Sequence, residues 1–173
     1  QMRDETIRNL KFPFSYREGQ FNLAASVYRT IARKKKLFIQ APTGTGKTMA
    51  VLYPAVRAMG EGLGEKIFYL TARTITRTVA EQAFFILKEK GLKFRSVTLT
   101  AKEKICFCEK AECNPQACPY AKGHFDRVND AVYDLLKNGG GMGRKEIEEQ
   151  AEKFQVCPFE FALDLSVWAD GII

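Results

Sequence analysis

Apolar residues recur in two alternating rhythms over the first hundred positions. Between 17 and 34, Phe21, Ala24, Val27, Tyr28 and Ile31 fall at helical spacing, which predicts a helix with one buried face. The run "KLFIQA" at 36–41 predicts a buried strand. Residues 47–60 predict a helix, kinked at Pro54 and ended by Gly60. Residues 65–72, "EKIFYLTA", predict a second strand, 74–91 a helix closed by a glycine, and 94–101, "FRSVTLTA", a third strand. This order gives an α/β class: a parallel sheet with helices on both faces. The alternation stops near Ala101. Beyond it, 124–138 and 144–154 predict two helices, the second laced with charges at i, i+4 spacing, around a glycine link at 139–143. The last residues, Gly171-Ile172-Ile173, read as the start of a buried strand.

Composition narrows the class. Hydrophobic residues make up 46% of 173, enough to build a core rather than a disordered chain. No apolar run approaches the roughly 20 residues of a membrane helix, and the polar N-terminus lacks a signal-peptide pattern. A cytoplasmic location is expected, nucleoid-associated if the source is bacterial. The first residue is not an initiator methionine, so the chain reads as a piece of a longer protein. Net charge is +7 but uneven: residues 1–100 hold 18 Lys+Arg against 7 Asp+Glu, residues 101–173 hold 9 against 13. A basic front half suits a polyanion such as nucleic acid. The run Arg33-Lys34-Lys35-Lys36 by itself reads as a solvated helix end.

"APTGTGKT", 41–48, lies between a predicted strand and a predicted helix. Gly44 and Gly46 let backbone N–H groups of Thr43–Thr48 converge on a phosphate, where the helix dipole is positive. In that cradle Lys47 neutralises the β- and γ-phosphates of ATP and the Thr48 hydroxyl takes Mg²⁺. Thr43, Gly44, Thr45, Gly46, Lys47 and Thr48 are therefore the expected nucleotide site, with Lys47 and Thr48 as its catalytic pair. Ala41 stands where the first glycine of the pattern is usual, and the variant looks like the helicase form of the loop.

Two flanking stretches extend that likeness. "FPFSYREGQ", 12–20, resembles the Q-motif of superfamily-two helicases, which implies that Gln20 reads adenine with Phe12 or Tyr16 near the ring; packing at a sheet edge is the plainer role for the aromatics. "LTARTITRTVAEQ", 70–82, resembles helicase motif Ia, which implies that Thr71, Arg73 and Thr74 grip phosphates of a nucleic-acid strand. Ordinary helix capping by Thr74 or Thr76 is compatible with that role.

Cys106, Cys108, Cys113 and Cys118 crowd one polar, proline-bearing stretch, and Cys157 follows in "QVCPFEF". An odd count without a signal argues against disulfides. Spacing leaves a zinc site, with Cys157 or His124 as fourth ligand, level with a [4Fe–4S] cluster. His124 itself reads as a helix-start or surface residue. The ordered sequence of phosphate loop, motif Ia and cysteine-bearing insertion resembles the XPD/DinG family of iron–sulfur DNA helicases. "CPYAKGHFDRVNDA", 118–131, and "CPFEFALDLSVWADGII", 157–173, carry the likeness furthest.

That resemblance implies a partial RecA-like motor domain at 1–101, a small, mostly helical iron–sulfur insert at 102–160 and a return to the motor domain at 161–173, before the Walker B strand. It implies a [4Fe–4S] cluster on Cys106, Cys113, Cys118 and Cys157, with Cys108 spare, and ATP-driven 5′ to 3′ movement on single-stranded, fork or flap DNA. No hhhhDE strand occurs; the one Asp-Glu pair is Asp4-Glu5. Without that acidic pair this chain is expected to hydrolyse ATP poorly. The alternatives are another P-loop enzyme with a zinc-stapled insert and a nucleotide-binding module that never hydrolyses.

Overall fold

The computed structural model describes residues 2–42, 44–139 and 141–173. These form two compact units, one ending at Phe94 and the other running from Arg95 to Ile173.

The first unit is built around one helix. α1 (Met2–Asn9) is followed by α2 (Gln20–Ala32) and α3 (Lys47–Gly60). β1 (Ile67–Phe68) and α4 (Thr74–Glu89) complete it. α3 packs against α1, α2 and α4. It is central because Met49, Ala50, Leu52, Val56, Ala58 and Met59 are buried around most of its circumference. Pro54 lies inside it, and the helix runs on to Gly60 as expected. A Cβ on Gly60 would sit 2.4 Å from Ile7 Cγ2, so a glycine is what lets α1 lie against that end. α1 itself was not foreseen: only Ile7 of its eight residues is buried, too little apolar signal to see.

Three expectations fail here. Residues 36–41 are not a buried strand: Phe38 is 93% exposed, and Leu37 and Ile39 are exposed too. A strand is completed by a neighbour that takes up its backbone groups. Among the described residues no backbone ladder reaches 36–41. The other two predicted strands shrink to β1 and β2 (Ser96–Val97), two residues each. Finally, Phe21 is 61% exposed, and the buried face of α2 is Gln20, Ala24 and Val27. The basic run at 33–36 lies beyond the end of α2 and is exposed, as a solvated helix end should be.

The second unit contains β2, the short α5 (Lys102–Ile105), then α6 (His124–Lys137), α7 (Arg144–Phe154), α8 (Pro158–Trp168) and β3 (Gly171–Ile172). β2 and β3 pair in parallel, Ser96 opposite Gly171 and Val97 opposite Ile172. The buried strand expected at the last residues is therefore present. Its core joins Val97, Ile105, Val128, Ala131, Ile147, Val156, Phe161, Leu165 and Ile172. The strand pair and the helices α5 to α8 share that core. Gln150 is buried and donates to the Ala131 carbonyl at 3.1 Å and to Asp134 Oδ2 at 2.8 Å, joining α7 to α6. Arg127 donates to the carbonyls of Phe154, at 3.0 Å, and Gln155, at 2.6 Å, and so closes the C-terminal end of α7. No helix is long and apolar enough to cross a membrane among the described residues.

Candidate functional site

In the first unit the loop 41–48 joins directly onto α3. Gly44 has φ 80° and Gly46 φ 73°, the left-handed conformation that favours glycine. Gly46 caps α3 with no side-chain hydrogen bond, so the first amides of the helix point into the loop. Lys47 Nζ donates to the carbonyls of Ala41 and Pro42, 2.6 Å each, and the Thr45 hydroxyl donates to Pro42 at 3.0 Å. The loop is folded over its own lysine. Thr48 opens the first turn of α3, half-buried. Thr43 lies outside the described residues.

The stretch before α2 is latched to this loop. Gln20 is 6% exposed; its Nε2 donates to the Gly46 carbonyl at 3.1 Å, and its Oε1 accepts the Arg17 N–H at 3.0 Å. A Cβ on Gly46 would lie 2.5 Å from Gln20 Nε2, so the glycine and the glutamine need each other. Arg17 adds a second tie, its guanidinium donating to the Gly44 carbonyl at 2.6 Å. Sequence reading missed Arg17; a cation three residues before Gln20 was the available signal. A cavity of about 300 Å³ beside Gln20 is lined by Gly19, Ile39, Ala41, Pro42 and Thr45 among others. The aromatics are elsewhere. Phe12 stacks on Tyr16 with centroids 4.1 Å apart and meets Tyr53 edge-on, so these rings cover one another rather than line that cavity. Burial of the Tyr53 phenol raises its pKa.

The motif Ia residues sit at the start of α4. Arg73 is the N-cap in extended conformation, and no side chain caps the helix, so neither Thr74 nor Thr76 performs that role. The Thr71 hydroxyl instead accepts the Arg73 N–H at 3.3 Å. Arg73 and Thr74 are exposed, next to the exposed Leu70 and Ile75. A solvent-facing helix start with a cation beside it can accept a phosphate.

In the second unit Cys106, Cys113, Cys118 and Cys157 line one cavity of about 310 Å³, together with Lys102, Lys110 and His124. All five cysteines are free thiols. Cys108 is not in that lining; its Sγ lies 3.8 Å from Cys118 Sγ. The shared hydrogen bond with Cys118 and partial desolvation push the Cys108 thiol up to about 11. Burial raises the Cys157 thiol, against the pull of the backbone amides of Glu160 and Phe159 at the start of α8. Among the described residues no group of three or more His, Cys, Asp or Glu is gathered as for a single metal ion. Four ligands about one zinc need sulfurs only about 3.8 Å apart, given Zn–S near 2.3 Å. A cubane with one thiolate per iron calls for a wider arrangement. Thiols are donors that zinc and a cubane accept alike.

His124 begins α6 as expected but is buried, 3% exposed, which corrects its reading as a surface residue. Its Nδ1 accepts the Cys157 N–H at 3.2 Å, so the neutral ring carries its proton on Nε2. That Nε2 lies 3.7 Å from Asp164 Oδ2, and no hydrogen bond reaches it among the described residues. The start of α6 is thereby tied to the start of α8, where the last cysteine sits.

The sequence model described as DEAD/DEAH box helicase matches residues 22–114. A protein of Methanocaldococcus jannaschii named as a probable ATP-dependent helicase is 43% identical over 195 aligned positions, which cover 91% of this chain. The chain spans 30% of that relative's length.

Proposed function

From the premise that this chain belongs to the DEAD/DEAH box helicase family, we propose that it is the nucleotide-binding front part of an ATP-dependent DNA helicase carrying a [4Fe–4S] cluster. The observation that carries the nucleotide half is the loop at 41–48: two left-handed glycines, the open amides of α3, and Lys47 at the first position of that helix. Lys47 exchanges the carbonyls of Ala41 and Pro42 for the β- and γ-phosphates, and Thr48 offers its hydroxyl to Mg²⁺. Gln20 has both ends of its amide engaged by Arg17 and Gly46. Its role is thus to hold the adenine-side segment onto the phosphate loop, and adenine contact requires part of that latch to be traded. Thr71, Arg73 and Thr74 take phosphates of a single strand at the exposed start of α4, and a front half with 18 basic against 7 acidic residues favours that strand's approach.

Cys106, Cys113, Cys118 and Cys157 are the proposed cluster ligands, supported by their convergence on one cavity and by the family resemblance of the sequence around them. When bound, the cluster supplies four iron–thiolate bonds that cross-link the irregular 106–118 stretch to the start of α8. Lys102 and Lys110 set positive charge beside the thiolates, and His124 holds the Cys157 backbone. Polarity, 5′ to 3′, and a preference for fork or flap DNA rest on the resemblance. Hydrolysis needs an Asp-Glu pair at the end of a strand, and the one Asp-Glu pair in these 173 residues is Asp4-Glu5 in α1, so the chain alone binds ATP without turning it over.

The test is equilibrium binding of a fluorescent ATP analogue to the chain, with release of phosphate measured in parallel. Mg²⁺-dependent binding without turnover supports the reading; turnover at the rate of an intact helicase, or no binding at all, sinks it.

A further inference from the structure

Cys108 is the thiol left over once four others line the cavity, yet it is not isolated. Its sulfur is 3.8 Å from that of Cys118, which does line the cavity. We propose that Cys108 and Cys118 are an oxidation site: peroxide joins them in a reversible disulfide that withdraws Cys118 from the four-thiol set. The consequence for metal uptake rests on the cluster reading; the disulfide itself does not.

Three features favour this pair. The sulfurs must close from 3.8 Å to about 2.05 Å. The segment between them has no helix or strand, only local turns such as Cys118 N–H to the Asn114 carbonyl at 2.9 Å, so the movement breaks no regular ladder. Both residues are partly exposed, open to a small oxidant. Cys106 also shares a side-chain hydrogen bond with Cys108, but a bridge between them would close a loop only two residues apart. The other two thiols are held differently. Cys113 Sγ turns to the Ala111 carbonyl at 3.6 Å, and Cys157 is fixed at the start of α8 by its N–H bond to His124. Closing a loop ten residues apart also costs little chain entropy.

The chemistry balances with hydrogen peroxide as the oxidant. One sulfur of the pair, deprotonated to its thiolate, attacks a peroxide oxygen; the O–O bond breaks, the departing hydroxide takes up the proton as water, and a sulfenic acid forms. The second thiol attacks that sulfur, the S–O bond breaks, and a second water leaves as the S–S bond forms. Two thiols lose two electrons and two protons; one peroxide becomes two waters. A dithiol reductant reverses the bond by exchange.

The experiment uses the full chain, reduced and stripped of metal with a chelator, then given one equivalent of hydrogen peroxide. Non-reducing peptide mapping with fragment sequencing is expected to find Cys108 joined to Cys118 as the dominant cross-link, absent in Cys108→Ser. Iron and sulfide uptake by the oxidised chain is expected to be lost and to return after dithiothreitol. A dominant link between other cysteines, or no link, overturns the proposal, as does undiminished uptake by the linked chain. If the reduced chain takes up no iron and sulfide either, the cluster reading fails, while the map still decides the oxidation site.

Discussion

Lys47 donates to two carbonyls of the loop that it is expected to serve, and any phosphate has to displace them. Lys47→Ala removes the charge without touching the core, so affinity for the ATP analogue should fall at least about tenfold, or about 1.4 kcal/mol, with an unchanged circular dichroism spectrum. A spectrum that changes as much as the affinity would make Lys47 a folding residue instead. Gly46→Ala tests the neighbouring position differently. It places a methyl against Gln20 and forces a left-handed residue, so it should weaken nucleotide binding and lower the melting temperature together. At His124, Asn keeps an acceptor near Nδ1 and Leu does not. His124→Leu leaves the Cys157 N–H without its partner and should cost about 1–2 kcal/mol in denaturant unfolding, with His124→Asn recovering part of it. Equal losses in both variants would show that ring packing, not the hydrogen bond, is what matters.

At the scale of elements, the junction of α6 and α7 is polar. Hydrogen bonds from Gln150 and Lys153 hold the Asp134 carboxyl below its ordinary value of 3.8. A depressed folded-state pKa stabilises the fold above the unfolded value, and that share is lost as pH falls through the folded value. Wild type should therefore melt above Asp134→Asn at neutral pH, and the two should converge as pH falls below the ordinary aspartate value of 3.8. A gap that stays constant down to pH 2 would remove the carboxylate from the account. Arg127 is the other brace: it donates to the Phe154 and Gln155 carbonyls and also to Lys122 at 2.8 Å. Arg127→Ala should cost about 2 kcal/mol, read in urea unfolding of the second unit.

Over the whole molecule, what local pattern encodes was readable in advance. The bounds of α3 and α7 follow from periodicity and glycine punctuation alone. What depends on partners was not. Residues 36–41 are apolar enough for a strand, but the chemistry that makes a strand is supplied by its neighbours, and Phe38 lies open. His124 gave no sequence signal of its burial, because burial comes from α8, more than thirty positions on. The four-thiol set sits between these cases. Cys106 and Cys108 are two residues apart and in contact, yet only Cys106 lines the cavity while Cys108 lies against Cys118.

The central claim is that four thiols from two distant stretches share one inorganic group. Iron and acid-labile sulfide, counted on chain purified without oxygen, test it most directly. The account predicts about four of each per chain in a brown protein, both lost in Cys113→Ser. A colourless chain carrying zinc, or iron retained in full by that variant, would contradict it.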